Sequence, residues 1–129
     1  MPGLVGTAPN QVPTNQDLGK LAYMDDYIPG VVKANTGTAY SLDLTDGLVQ
    51  QLTLTGNCTY TFPNAGAGAS FLLVQSQDAT GSHTVTWPAS VKWPGATAPT
   101  ITATANKTDL FAFTGDGSYW YGRTIGQNY

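Results

Sequence analysis

Few residues of this 129-residue chain have the chemistry to act on a substrate: His83 is its sole histidine, Cys58 its sole cysteine, and all 8 acidic side chains are aspartates. Hydrolytic catalysis needs a nucleophile and a base on one face, or two facing carboxylates. Ser82 and His83 are neighbours at the start of an alternating run. Successive strand residues point to opposite faces, so they make no dyad. Asp25-Asp26 is a carboxylate pair that could bind a cation, and it reads more simply as a solvated acidic turn. Cys58 alternates with Tyr60 and Phe62 as a small core residue. One His and one Cys cannot make a zinc set, and Asp43, Asp46 and Asp116 lack the ligand spacing of a calcium loop. No glycine-rich run opens a helix that would cradle phosphate. The expectation is a chain with no catalytic residue, metal ligand or cofactor.

Aromatic side chains offer a different chemistry, since exposed Trp and Tyr rings stack on sugars or fill subunit contacts. Residues 84–100, TVTWPASVKWPGATAPT, carry two Trp-Pro pairs, Trp87-Pro88 and Trp93-Pro94. Trp87 is in register with Val85 and His83, which favours burial, and each proline removes a ladder donor and stops its strand. Two short edge segments joined by Ala89-Ser90, their tryptophans pinned to the core, fit this pattern. Trp93, Tyr119, Trp120 and Tyr121 remain candidates for a ligand platform or a subunit contact, with Trp120, flanked by tyrosines on the opposite face, the one expected to be exposed.

The elements that must position these residues are strands. Fifteen glycines, 8 prolines and no glutamate disfavour helix. From Thr38 the period is two. Tyr40, Leu42 and Leu44, then Leu52 and Leu54, flank Asp46-Gly47, which predicts a hairpin with a type I′ turn. Cys58, Tyr60 and Phe62 give a third strand. Phe71, Leu72, Leu73 and Val74 are apolar on both faces, the mark of a central strand or of one at a subunit contact. Ile101 and Ala103 suggest a weaker strand, and a final hairpin joins Leu110, Phe111 and Phe113 through residues 114–117 to residues 118–121. Short, evenly punctuated strands predict an all-β fold, an antiparallel β-sandwich or jelly-roll-like domain.

Length and 41% hydrophobic content allow one core. Only 10% of residues are charged, the formal net charge is −3, and Lys20, Lys33, Lys92, Lys107 and Arg123 are scattered, so no nucleic-acid partner is expected. No apolar run reaches bilayer length, and none resembles a leader, so no membrane partner is expected either. Residues 1–37 lack strand periodicity and read as an extended N-terminal arm ahead of a domain at 38–129. Its apolar residues Leu4, Val5, Val12, Leu18, Leu21 and Tyr23 need a surface to cover, which suggests anchoring on a neighbouring chain.

The run at 84–100, followed by DLFAFTGDGSYWYG and a terminal IGQNY, resembles a small C-terminal module of virion proteins from tailed bacteriophages, cyanophages among them. NQVPTNQDLGKLAYMD likewise resembles a segment near the starts of phage fibre and other particle proteins. The resemblance implies a β-rich, commonly oligomeric virion structural protein and carries over no catalytic residue. With the arm and the short chain starting at Met1, the expected role is capsid decoration, as a cement or short head-fibre protein. Its partners would be a major capsid or neck/tail protein and further copies of itself, a trimer, after folding in the host cytoplasm. The alternative is a receptor- or glycan-binding module of a tail fibre or tail tip, with a host-surface glycan as ligand. Phe71, Leu72, Leu73 and Val74 and the aromatics at 119–121 are the expected contacts between subunits.

Overall fold

The computed structural model describes residues 30–129, and the arm residues Leu4, Val5, Val12, Leu18, Leu21 and Tyr23 lie outside them. The described chain is all-β. Its strands are β1 (Val31–Asn35), β2 (Ala39–Ser41), β3 (Val49–Leu54), β4 (Cys58–Thr61), β5 (Ser70–Gln77), β6 (Val85–Thr86), β7 (Val91–Lys92), β8 (Thr108–Gly115) and β9 (Trp120–Gly126). A six-stranded sheet has the order β1-β3-β5-β8-β9-β7, and a three-stranded sheet the order β2-β4-β6.

The pairing departs from an antiparallel sandwich. β1, β3 and β5 are mutually parallel in one sheet, β2, β4 and β6 in the other, and only β5–β8 and β8–β9 are antiparallel. The chain therefore winds from one sheet to the other and back, as three rungs of a coil, closed by the β8–β9 hairpin. Thr36-Gly37 and Thr55-Gly56 open the first two turns from a strand of the larger sheet into one of the smaller, and Thr80-Gly81 lies within the third, which Asp78 opens. These turns stack through hydrogen bonds: Gly37 N–H donates to Thr55 Oγ1 (2.9 Å), Thr59 N–H to the Thr38 carbonyl (3.1 Å) and Thr84 N–H to Asn57 Oδ1 (3.0 Å). At Gly81, φ is +73° and a Cβ would sit 2.7 Å from the Ala105 nitrogen, so the third turn accepts only glycine without rearrangement.

The type I′ hairpin expected at Asp46-Gly47 does not form, because Tyr40 and Leu52 belong to strands in different sheets. Residues 42–48 instead cross between the sheets, the connection that parallel strands require. The side chain of Asp43 accepts from the Thr45 N–H and hydroxyl, and the buried Gln50 amide donates to the Asp43 and Gly47 carbonyls. The strand expected at Ile101 and Ala103 is also absent, and residues 97–107 run as a loop and turn. β1 belongs to the sheet although it precedes Thr38, where the periodicity begins. As an edge strand with Val31 48% exposed, it has no strongly buried face to write into the sequence.

The core lies between the sheets. Leu52, Leu54, Phe71, Leu73, Phe111 and Phe113 face inward from the larger sheet, Cys58 and Tyr60 from the smaller. Phe62, just past β4, packs T-shaped against Phe113 at 5.0 Å and Phe71 at 5.4 Å. Trp87 and Trp93 close one side of this cluster as expected, 5.0 Å apart, with Trp87 5.3 Å from Phe111 and Trp93 5.6 Å from Phe113. Pro88 and Pro94 follow edge strands: β6 borders the smaller sheet, β7 the larger. Both tryptophans are partly buried against the core, while Trp120 is its largest fully buried side chain.

Candidate functional site

Alternation along β9 sends Trp120 and Gly122 inward and Tyr121 and Arg123 outward. Trp120, expected to be exposed, is 0% exposed, and its indole N–H donates to the Pro63 carbonyl at 2.8 Å. Strand parity in the opposite sense buries the indole and leaves its tyrosine neighbours in solvent: Tyr119 is 41% and Tyr121 49% exposed. Phe71 and Leu73 are likewise core residues of their own domain, so of the four apolar residues of β5 only Leu72 and Val74 face outward and remain available for a contact. Trp93 is partly buried against the core, and its packing fixes β7.

β7 runs parallel to β9 with Val91 opposite Trp120 and Lys92 opposite Tyr121. Val91 is buried, Lys92 exposed. The Lys92 ammonium stands 4.3 Å from the centre of the Tyr119 ring, inside the range of a cation–π contact. Close approach of Trp93 depends on Gly122, where a Cβ would lie 2.7 Å from the Phe113 ring and 2.9 Å from the indole. Beside Lys92, residues Ala89, Val91, Trp93 and Ala96 line a cleft of about 300 Å³.

Asp116 organises the turn before β9. Its Oδ1 accepts from the backbone N–H of Tyr119 (2.7 Å) and Ser118 (2.8 Å), while the Tyr121 hydroxyl donates to Oδ2 (2.8 Å). The Tyr119 N–H, then the Ser118 N–H and the Tyr121 hydroxyl, hold the Asp116 carboxyl below the ordinary aspartate range. The same hydrogen bond to Asp116 raises the Tyr121 phenol. The result is an exposed cluster of Lys92, Tyr119, Tyr121 and Asp116, bordered by Arg123, in which one carboxylate holds the Tyr121 ring by its hydroxyl and Tyr119 by its backbone N–H. Such a surface can stack on an apolar sugar or side-chain face and hydrogen-bond its polar groups. It contains no nucleophile–base pair.

Lys92 and Asp116 escaped the sequence reading, Lys92 as one scattered cation and Asp116 as a failed calcium loop. The available signal was the spacing of Asp116 to Ser118 and Tyr119, which suits a side chain capping its own turn. Nothing in the sequence announced that β7 would lie beside β9.

A second concavity, about 480 Å³, lies on the outer face of the larger sheet along Lys33, Gln51 and Val74 and along Asn35, Thr53 and Ser76. It has one cation and no aromatic ring. His83 is bonded through Nε2 to Asp78 Oδ1 at 2.9 Å, and Asp78 Oδ1 also accepts from the Gly81 and Thr80 N–H groups, so this pair clasps the third turn. Cys58 is buried, and desolvation raises its thiol, which suits a packing role. Asp25 and Asp26 lie outside the described residues.

A sequence-family model described as "Putative phage tail fibre C-terminal domain" matches residues 31–120. No curated protein and no solved structure matches the chain.

Proposed function

The chain belongs to the phage tail fibre C-terminal domain family, and from that premise we propose that it is the outward end of a tail fibre and contacts the host surface through the Lys92–Tyr119–Tyr121–Asp116 face. Membership makes it a virion structural protein of a bacteriophage; the adhesive role is the further step. One observation supports that step: two tyrosines about half exposed, with one aspartate holding Tyr121 by its hydroxyl and Tyr119 by its backbone N–H. A ring fixed before contact, as that of Tyr121 is, loses little conformational freedom on binding, which favours recognition. The role proposed is mechanical and adhesive, with no chemical step.

In this reading the segment ahead of β1, with Leu4, Val5, Val12, Leu18, Leu21 and Tyr23, joins the domain to the rest of the virion. Three copies associate through the outward residues of the larger sheet, Leu72 and Val74 among them. Electron microscopy of particles labelled with an antibody to this chain tests the placement. Label at fibre ends is expected; label spread over the shell would instead make this a capsid-decoration protein.

A further inference from the structure

We propose that the outer face at the β7–β9 edge binds an anionic saccharide, a sugar bearing a carboxylate or phosphate, with Tyr121 as the stacking ring and Lys92 and Arg123 as the two charge contacts. This rests on the adhesive reading above and names its ligand class and residues.

Three observations converge. Tyr121 is 49% exposed, and its hydroxyl is tied to Asp116, which fixes the ring edge and leaves its face to solvent. A sugar ring presents a face of C–H groups that packs on such a surface, while its hydroxyls stay hydrated or hydrogen-bond at the rim.

The second observation is charge. Lys92 is the direct cross-strand neighbour of Tyr121, and Arg123 is the next outward residue along β9. Cross-strand and same-face neighbours lie within reach of one another's long side chains. Among the described residues, neither cation forms a salt bridge. Asp116 is the nearby acid, and its oxygens are engaged by two backbone N–H groups and the Tyr121 hydroxyl. Its charge is therefore spread over its own turn. A neutral sugar would leave both cations without a counterpart.

The third is preorganisation. Tyr119 holds the Lys92 ammonium over its ring at 4.3 Å, beside Tyr121. An arginine guanidinium supplies a planar pair of donors to a carboxylate or phosphate, and a lysine adds a point charge from the neighbouring strand. Lys33 stands at the far edge of the same sheet, on β1, and provides a built-in control.

The test is calorimetric titration of the full chain with a galacturonate oligosaccharide, its fully methyl-esterified and hence neutral counterpart, and a phosphorylated oligosaccharide of similar length. Binding to the galacturonate or phosphorylated sugar is expected, weakening as salt rises; which of the two binds identifies the anion. The neutral ester should bind at least about tenfold more weakly. Tyr121→Ala and the double variant Lys92→Ala/Arg123→Ala should each lower affinity at least about tenfold, while Lys33→Ala leaves it unchanged. Unchanged melting temperatures separate a lost contact from a lost fold, and Tyr121→Phe, which keeps the ring, should retain most of the binding. Equal binding of the neutral ester, equal loss with Lys33→Ala, or no binding of either anionic sugar would overturn the proposal. If the chain binds susceptible cells while the Lys92→Ala/Arg123→Ala variant binds them equally well, this assignment fails and the adhesive reading stands. If the wild-type chain binds no susceptible cell, it is the adhesive reading that fails.

Discussion

Single carboxylates do much of the local ordering in this domain. Asp43, Asp78 and Asp116 each accept backbone N–H groups of their own turns. The Thr45 hydroxyl and then its N–H lower the Asp43 carboxyl, and the turn N–H groups lead in lowering Asp78 and Asp116, all relative to the ordinary value of 3.8. A lowered folded-state pKa contributes stability that is present above the unfolded value and lost as pH falls through the folded one. The domain is therefore expected to lose stability as pH drops below about 4, and carboxyl NMR titration should show all three midpoints below 3.8. Asp116→Asn should move the Tyr121 phenol back toward its ordinary value, because the acceptor charge that raises it is gone. A phenol midpoint unchanged from wild type would contradict the pairing. In the core, Trp87 touches Tyr60, Phe111 and Trp93 at once, so Trp87→Ala should cost about 3–5 kcal/mol in chemical denaturation.

Among the elements, the C-terminal segment is held by one buried acid. Asp109 on β8 is 2% exposed. It accepts from the Thr102 N–H (2.7 Å), the Asn128 N–H (3.0 Å) and the Gln127 amide (3.1 Å). It thereby ties the loop after β7 and the chain end to one strand. Asp109→Ala leaves those donors without their acceptor and should destabilise the domain by about 3 kcal/mol, with faster amide exchange confined first to residues 97–107 and 127–129. Loss of protection spread evenly over all strands would contradict that local role. The strands at 58–62, 71–74 and 110–113 were legible because period-2 burial writes itself into residue type: Phe71, Leu73, Phe111 and Phe113 are core on one face. The final hairpin was legible too, but its turn lies at 116–119 and not 114–117, so its second strand starts at Trp120 and not Ser118. Strand partners were not. A parallel coil and an antiparallel sandwich give the same alternation, and the difference lies in whether residues 42–48 reverse or cross. The Thr-Gly pair in each rung's turn was visible, but Ala39 pairs with Thr59 and Thr59 with Thr86, unequal steps that hide the repeat. Of the candidate site, the tyrosines were legible and their exposure was assigned to the wrong parity, with Trp120 taken as the outward residue.

For the whole molecule, the two sheets have different outer characters. Ala39, Ser41, Thr59, Thr61 and Thr86 make the outside of the smaller sheet small and uncharged. The larger sheet carries Lys33, Lys92 and Arg123 outward, together with the partly exposed Leu72 and Val74. The proposed adhesion and self-association would both fall on the larger sheet, adhesion at its β7–β9 edge and association toward its centre. β3, β5 and β8 are flanked by strands on both sides and should be the most protected from exchange, with β1 and β2, the edge strands of the first rung, opening first. In the proposed reading the aromatic edge is the part that meets the host surface. The direct measurement is binding of the fluorescently labelled full chain to susceptible host cells, comparing wild type with Tyr121→Ala at equal melting temperature. Saturable binding by wild type, reduced at least about tenfold by the substitution, is the expected result; equal binding by the two proteins would contradict the assignment of the host contact to this face.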